Sequence, residues 1–121
     1  MVSWTSRGYL EAMQNFLDLT GASGATYRFQ RIDAVEQLPA MAGNFVYVRG
    51  AGTGLTVACC GTEESLLGAA THWPAAVQAH HVEAIFVRLN VSWKVRSFEH
   101  EDIVKHHQPR MVIAAEFERI S

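Results

Sequence analysis

A glycine-rich loop, Gly50-Ala51-Gly52-Thr53-Gly54, constrains the fold of this chain more than any other segment. It separates two apolar, β-rich runs, residues 44–49 and 55–60, of the kind that favours strands. Glycine adopts positive φ without steric penalty, so the loop can reverse the chain within a few residues. We therefore predict a β-hairpin. The loop superficially resembles a phosphate-cradling loop, but it lacks the closing lysine and hydroxyl residue and joins two strands.

Apolar periodicity and end signals place the other elements. A spacing of 3.6 residues indicates helices, alternation indicates strands, and glycine or proline marks the ends. Ser92 is expected to cap the helix that follows it. The predicted elements, in chain order, are a helix over 5–19, a turn over 21–24, a strand over 25–32, the hairpin, a turn at 61–62, a helical segment over 63–70, a short helix over 74–79, a strand over 83–89, a helix over 93–105 and a strand over 111–117.

Length and charge narrow the class of protein. A chain of 121 residues is expected to form one domain. Ten lysines and arginines against twelve acidic residues give a net charge of −2, which argues against strong general binding of nucleic acid. The apolar runs are far shorter than the roughly 20 residues that cross a bilayer, and the first seven residues lack the pattern of a signal peptide. We therefore expect no membrane partner and a cytoplasmic location.

The two cysteines, Cys59 and Cys60, are adjacent in the sequence. Neighbouring residues of a strand point to opposite faces of the sheet, so an internal disulfide is excluded. The simplest interpretation is a pair of buried thiols that pack as small apolar side chains. The alternative is cysteine catalysis with His72 or His100 as the base, which requires a nearby cation, histidine or helix N-terminus to stabilise the thiolate.

Six histidines are a high share for a chain of this length. The pairs His80-His81 and His106-His107 cannot form a two-ligand site alone, because adjacent helical residues project about 100° apart. Surface positions near helix C-termini explain both pairs. A metal site is the weaker alternative, with His100 and either His72 or Glu101 as its ligands. We predict no cofactor and no metal.

Short sequence matches recur in a fixed order between residues 43 and 109. They are Gly43-Asn44-Phe45, Cys59-Cys60-Gly61, Thr62-Glu63-Glu64-Ser65-Leu66 with His72 beyond it, and the closing segment from Arg96 to Pro109. In this order the chain resembles the GIY-YIG nuclease superfamily. The resemblance implies a hairpin that carries two short motifs, a helix with a catalytic arginine and a later helix with a glutamate that holds a divalent metal.

The positions to which the resemblance assigns chemistry hold other residues. Phe45 and Cys59 replace two tyrosines, Ala69 replaces the arginine and His100 replaces the glutamate. Glu99 and Glu101 flank the last position, but on a helix they point about 100° to either side of it. The loss of such groups costs powers of ten in rate. The resemblance therefore implies a scaffold without the nuclease reaction.

Together these observations predict an α/β (α+β) domain, residues 1–121, with a small, largely antiparallel central sheet flanked by helices. The GIY-YIG-like core would span about 43–109, and an N-terminal extension, 1–40, would add a helix and a strand. We expect a non-catalytic module that binds a protein partner or a second copy of itself through the face lined by Phe45, Cys59, Ala69 and His100. His72 and Glu101 are further binding candidates.

Two alternatives from other classes stay open. One is a divergent metal-dependent endonuclease that recruits Glu99, Glu101 or the histidines. The other is a protein that contacts nucleic acid without cleaving it.

Overall fold

The computed structural model describes residues 15–113, which form one six-stranded mixed sheet with two flanking helices. The strands are β1 (Phe16–Thr20), β2 (Thr26–Ile32), β3 (Gly43–Arg49), β4 (Thr56–Glu63), β5 (Ala84–Leu89) and β6 (Met111–Ile113). Their order across the sheet is β1-β2-β5-β3-β4-β6. Among these six described strands, only the β4–β6 pair is parallel. The predicted α+β class with a largely antiparallel sheet is confirmed.

The glycine loop closes the β3–β4 hairpin as predicted. Gly50 and Gly52 have φ values of 80° and 57°, a region that residues with a Cβ rarely occupy. The Glu83 carboxylate also accepts a hydrogen bond of 2.9 Å from the Gly50 backbone N–H. The predicted turn at 61–62 is wrong, because Gly61 pairs with Phe45 and β4 continues to Glu63.

Helical segments cover both faces of the sheet. On one face a 3₁₀ segment (Leu66–His72) leads into helix α1 (Trp73–His80), with Pro74 in its first turn. On the other face lies helix α2 (Trp93–His107). The Ser92 side chain accepts a hydrogen bond of 3.5 Å from the Val95 backbone N–H, which confirms the predicted cap. None of the helices within residues 15–113 has both the length and the apolar character needed to span a membrane.

Each face of the sheet carries its own apolar core. The first core lies under the 3₁₀ segment and α1, and it includes Leu38, Phe45, Tyr47, Cys59, Leu66, Ala69 and Ile85. The second core lies under α2, and it includes Phe29, Val46, Cys60, Phe86 and Ile103. The alternation of strand side chains sends successive residues of β3 and β5 into different cores. In β4 a bulge opposite Tyr47 and Val48 interrupts the alternation, so that Ala58 and Cys59 both join the first core.

The predicted helix over 5–19 is wrong at its C-terminal end. Residues 16–20 form β1, which pairs with β2 across the turn at 21–24, whereas residues 5–14 lie outside the described part of the chain. Leu17 and Leu19 point into the second core, while Phe16 and Asp18 are exposed. The apolar residues Phe16, Leu17 and Leu19 also fall within one side of a helix, so the local pattern alone does not separate a helix from a strand.

Two further predicted boundaries shift. The segment expected to be helical over 63–70 begins only at Leu66 and is a 3₁₀ helix. The final predicted strand, 111–117, is present as β6 over Met111–Ile113, and its remaining residues lie outside the described range.

Candidate functional site

Three of the sequence-predicted site positions come together in the first core. Phe45, Cys59 and Ala69 have no exposed surface. Tyr47 fills the space between them: its ring lies 5.2 Å from that of Phe45, and its hydroxyl donates a hydrogen bond to the Ala69 carbonyl. The three side chains are packing elements in this structure, and none of them offers surface to a ligand or partner.

The fourth position, His100, lies on the other face of the sheet. It is on α2, whose Ile103 packs into the second core, and it is itself buried at 7% exposure. The structure therefore does not bring His100 together with Phe45, Cys59 and Ala69. Its neighbour Glu101 is exposed, whereas Glu99 is buried against the sheet.

Glu99 is the centre of a polar cluster that sequence reasoning missed. Its carboxylate accepts hydrogen bonds of 2.8 Å from both Arg88 Nε and Asn90 Nδ2. Asn90 Nδ2 also donates to Asn44 Oδ1 at 2.9 Å. A buried carboxylate needs such partners, because removing an ion from water without compensation is costly. Glu99 is thus already occupied by protein donors.

Arg96 extends this cluster into the interior. It is among the largest fully buried side chains in the described residues. Its Nε donates to Thr62 Oγ1 at 3.1 Å, and its Nη1 donates to the carbonyls of Asn90 and Val91 at 2.9 and 3.0 Å. The arginine therefore fixes the start of α2 against β4 and the β5–α2 connection.

A sequence signal for this cluster exists, although it is weak. Arg96, Glu99 and Ile103 follow one another at i, i+3 and i+7, the spacing of a single helix face. Two charges share that face with a core isoleucine, which indicates a buried polar interaction with the sheet. Their partners Asn44 and Asn90 could not be named, since they come from separate elements.

The two cysteines are buried on opposite faces of β4. Cys59 belongs to the first core and Cys60 to the second, and both are free thiols. Burial raises the pKa of the Cys59 thiol to about 12. Burial, followed by the neighbouring Cys59, raises the pKa of Cys60 as well. Both groups are therefore protonated and apolar in character at neutral pH, which disfavours nucleophilic chemistry.

The candidate metal ligands do not form one group. His72 lies on the Cys59 side of the sheet, where its Nε2 is 3.8 Å from Glu63 Oε2, and His100 lies on the opposite side. Within residues 15–113 no three histidine, cysteine or acidic side chains are placed to hold a metal ion together. Of the pair at the end of α2, His106 and His107 make an edge-on ring contact with centroids 4.7 Å apart.

The exposed apolar surface is concentrated around the start of α2. Five large apolar side chains within residues 89–98 are exposed: Leu89, Val91, Trp93, Val95 and Phe98. Phe98 is 60% exposed and lies on the side of α2 that faces away from the sheet. On the same side, the exposed Lys94 lies about one turn before it and the exposed Glu101 about one turn after it. We refer to Lys94, Val95, Phe98 and Glu101 as the α2 surface.

Comparison with known proteins adds no further assignment. No protein-family model, curated protein sequence or solved structure matches this chain.

Proposed function

We propose that this protein is a non-catalytic interaction module on a scaffold that resembles the GIY-YIG nucleases, and that it associates with a second copy of itself. The complete burial of Phe45, Cys59 and Ala69 is the observation that supports the absence of catalysis. A substrate phosphate cannot reach side chains without exposed surface. Three of the four positions where the resemblance expects catalytic groups instead supply apolar packing to the first core.

The order of elements supports the proposed relationship to that scaffold. A hairpin is followed by helical segments, a strand and a long helix, and the strand β5 pairs back onto the first hairpin strand, β3. Arg88 and Asn90 hold the Glu99 carboxylate, so this acid is not free to replace the missing metal ligand. Fold resemblance alone does not carry an activity.

The α2 surface supports self-association. An exposed phenylalanine with Val95, 47% exposed, beside it loses unfavourable contact with water when it is covered. The flanking charges have opposite sign, and Phe98 lies near the midpoint between Lys94 and Glu101. These charges are seven residues apart, or about 10.5 Å along the helix.

This arrangement is complementary to itself. When two α2 helices lie antiparallel about a two-fold axis near Phe98, Lys94 of each copy faces Glu101 of the other, and the two phenylalanine rings meet at the axis. Such an isologous contact forms two Lys94–Glu101 ion pairs, one on each side of the two-fold axis. One helix face buries a small area, so we expect a dimer that dissociates on dilution.

Analytical ultracentrifugation over a concentration series tests this proposal. Phe98→Glu should abolish dimer formation, whereas Val77→Glu, which places the same charge at an exposed apolar position on α1, should leave it unchanged. Lys94→Glu should weaken the dimer by like-charge repulsion, and the exchanged pair Lys94→Glu/Glu101→Lys should restore it. A wild-type protein that stays monomeric, or dimers that survive Phe98→Glu, would refute self-association through this surface.

Absence of catalysis is tested separately with labelled single- and double-stranded DNA and RNA in the presence of Mg²⁺ or Mn²⁺. We expect no cleavage. Turnover that disappears with His100→Ala or Glu101→Gln would overturn the non-catalytic assignment. We also propose a cytoplasmic location, which the two free thiols support because a reducing compartment keeps cysteines unpaired.

A further inference from the structure

A cleft of about 430 Å³ lies at one end of the sheet, away from the α2 surface. The C-terminal ends of α1 and α2 border it, and its floor is the beginning of β4, before β6 starts to pair at Cys59. Both helices end in a residue with left-handed backbone, His81 at φ 57° and Gln108 at φ 48°. The chain therefore turns sharply at both helix ends and leaves the space between them open.

The polar lining of this cleft is basic. It includes Arg49, His80, His107, Gln108, Arg110 and Thr56, and no acidic residue is among the described lining residues. The chain as a whole carries more acidic than basic residues, so the cleft is a local departure from the overall charge. We call it the arginine cleft.

Both arginines, Arg49 and Arg110, have guanidinium N–H groups that no described residue accepts. The only hydrogen bond from the Arg49 guanidinium to another described residue is that of Nη1 to the His80 carbonyl, at 3.3 Å. Arg110 makes no ion pair or side-chain hydrogen bond with a described residue and is exposed. The Glu83 carboxylate accepts a hydrogen bond from the backbone N–H of Gly50, the residue after Arg49. A guanidinium offers five N–H donors in a planar fork that matches the oxygens of phosphate or carboxylate.

The balance of charge in the cleft favours an anion. Each helix C-terminus carries roughly half a negative charge, and together they offset about one of the two full guanidinium charges. The hydrogen bond from Arg49 to the His80 carbonyl also satisfies one helix-end acceptor. His107 adds hydrogen-bonding capacity rather than charge, because burial and then His106 lower the pKa of its ring.

We propose that the arginine cleft binds a small ligand that carries a dianionic phosphate group, of the size of a nucleoside monophosphate. Two arginines line the cleft, Arg49 at the end of β3 and Arg110 just before β6, and a guanidinium can engage two phosphate oxygens. A volume of about 430 Å³ lies within the range of small-molecule sites. This proposal does not depend on self-association, since the α2 surface supplies none of the lining residues.

Isothermal titration calorimetry with AMP, inorganic phosphate and adenosine tests the site. AMP and phosphate should bind one per chain, and adenosine, which lacks the phosphate, should not bind. Arg49→Gln and Arg110→Gln should each weaken AMP binding at least about tenfold, because a charge-assisted hydrogen bond is lost. Arg28→Gln removes another exposed arginine, on β2, and should change the Kd less than about twofold, since Arg28 is not among the residues that line the cleft.

The proposal would be overturned if the wild-type protein bound neither AMP nor phosphate, or if it bound adenosine as tightly as AMP. Equal losses of AMP affinity in Arg28→Gln and Arg49→Gln would also overturn it. So would tight binding of a short single-stranded oligonucleotide together with weak binding of AMP. The last result would assign the cleft to nucleic acid. Both arginines are exposed, so the variants should fold, and circular dichroism spectra that match the wild type establish this.

Discussion

The ring of Phe45 lies directly over Gly61, its partner on the neighbouring strand. A Cβ at position 61 would overlap three atoms of that ring. The glycine therefore creates the space that the phenylalanine fills, and neither residue can be understood alone. Aromatic side chains frequently cover glycine in this way within sheets.

This pairing predicts the effect of Gly61→Ala. The added methyl group should force the ring aside and lower the free energy of unfolding by about 1–3 kcal/mol, the usual cost of overpacking a core. In the background of Phe45→Leu the same change should cost clearly less, because leucine vacates the space above position 61. Urea unfolding of the four proteins in this double-mutant cycle measures the coupling.

Equal costs of Gly61→Ala in the two backgrounds would contradict this prediction. If Gly61→Ala costs the same with phenylalanine and with leucine at position 45, the ring does not constrain Gly61. Gly54→Ala is the matched control, since a Cβ there would meet nothing within 4 Å.

The burial of the cysteines predicts slow labelling. Burial raises the pKa of Cys59 to about 12, so the folded protein holds very little thiolate at pH 8, and the reagent reaches the thiol only when the core opens. Ellman's reagent should therefore react with the folded protein at least about a thousandfold more slowly than with the guanidinium-unfolded chain.

His72→Ala separates this explanation from a catalytic one. It removes the candidate base that lies on the Cys59 side of the sheet, and the labelling rate should not change if burial alone sets the reactivity. Rapid labelling of the folded wild type that falls in His72→Ala would instead support an activated cysteine.

The hairpin could be predicted from sequence, whereas β1 and the polar cluster could not. The loop from Gly50 to Gly54 and its flanking apolar runs are local signals, so they fix the turn between β3 and β4. Residues 16–20 satisfy helical and strand spacing equally, and only pairing with β2, a tertiary event, decides between them.

The expected binding face was wrong for a different reason, because the residues predicted to line it are buried. Matching Phe45, Cys59 and Ala69 to a known pattern places them along the chain, but it does not say whether a neighbour covers them. Here the 3₁₀ segment that begins at Leu66, and to which Ala69 belongs, packs with Phe45 and Cys59 in the first core. Phe98 and Ile103 lie about 140° apart around α2, so the packing of Ile103 into the second core leaves Phe98 exposed. The sequence alone did not show which of these two apolar residues faces the sheet.

A final relationship ties the β1–β2 turn to α2 through Asp102. Its carboxylate accepts hydrogen bonds from the Ser23 hydroxyl at 2.6 Å, the Ser23 backbone N–H at 2.8 Å and the Tyr27 hydroxyl at 2.8 Å. Gly21 is required beside it, because a Cβ there would overlap the carboxylate. The hydrogen bond from the Ser23 hydroxyl and then that from Tyr27 hold the pKa of Asp102 below its ordinary value near 3.8, against the opposing effect of burial.

The lowered pKa predicts how stability depends on pH. The unfolded chain takes up a proton at Asp102 near pH 3.8, whereas the folded protein resists protonation until lower pH. Asp102 therefore stabilises the fold above that value, and this contribution is lost as the pH falls through the lower, folded pKa. Asp102→Asn should be less stable than wild type at pH 6, and its urea midpoint should fall less between pH 6 and pH 3.

Asp18→Asn is the matched comparison. Asp18 also has a lowered pKa, chiefly from its hydrogen bond with Arg28, but its side chain is 46% exposed, whereas Asp102 is 7% exposed. Salt screens an exposed ion pair far more than a buried set of hydrogen bonds. Added NaCl should therefore diminish the effect of Asp18→Asn and leave that of Asp102→Asn nearly intact. Equal attenuation of both would mean that Asp102 acts through long-range charge and not through its contacts with Ser23 and Tyr27.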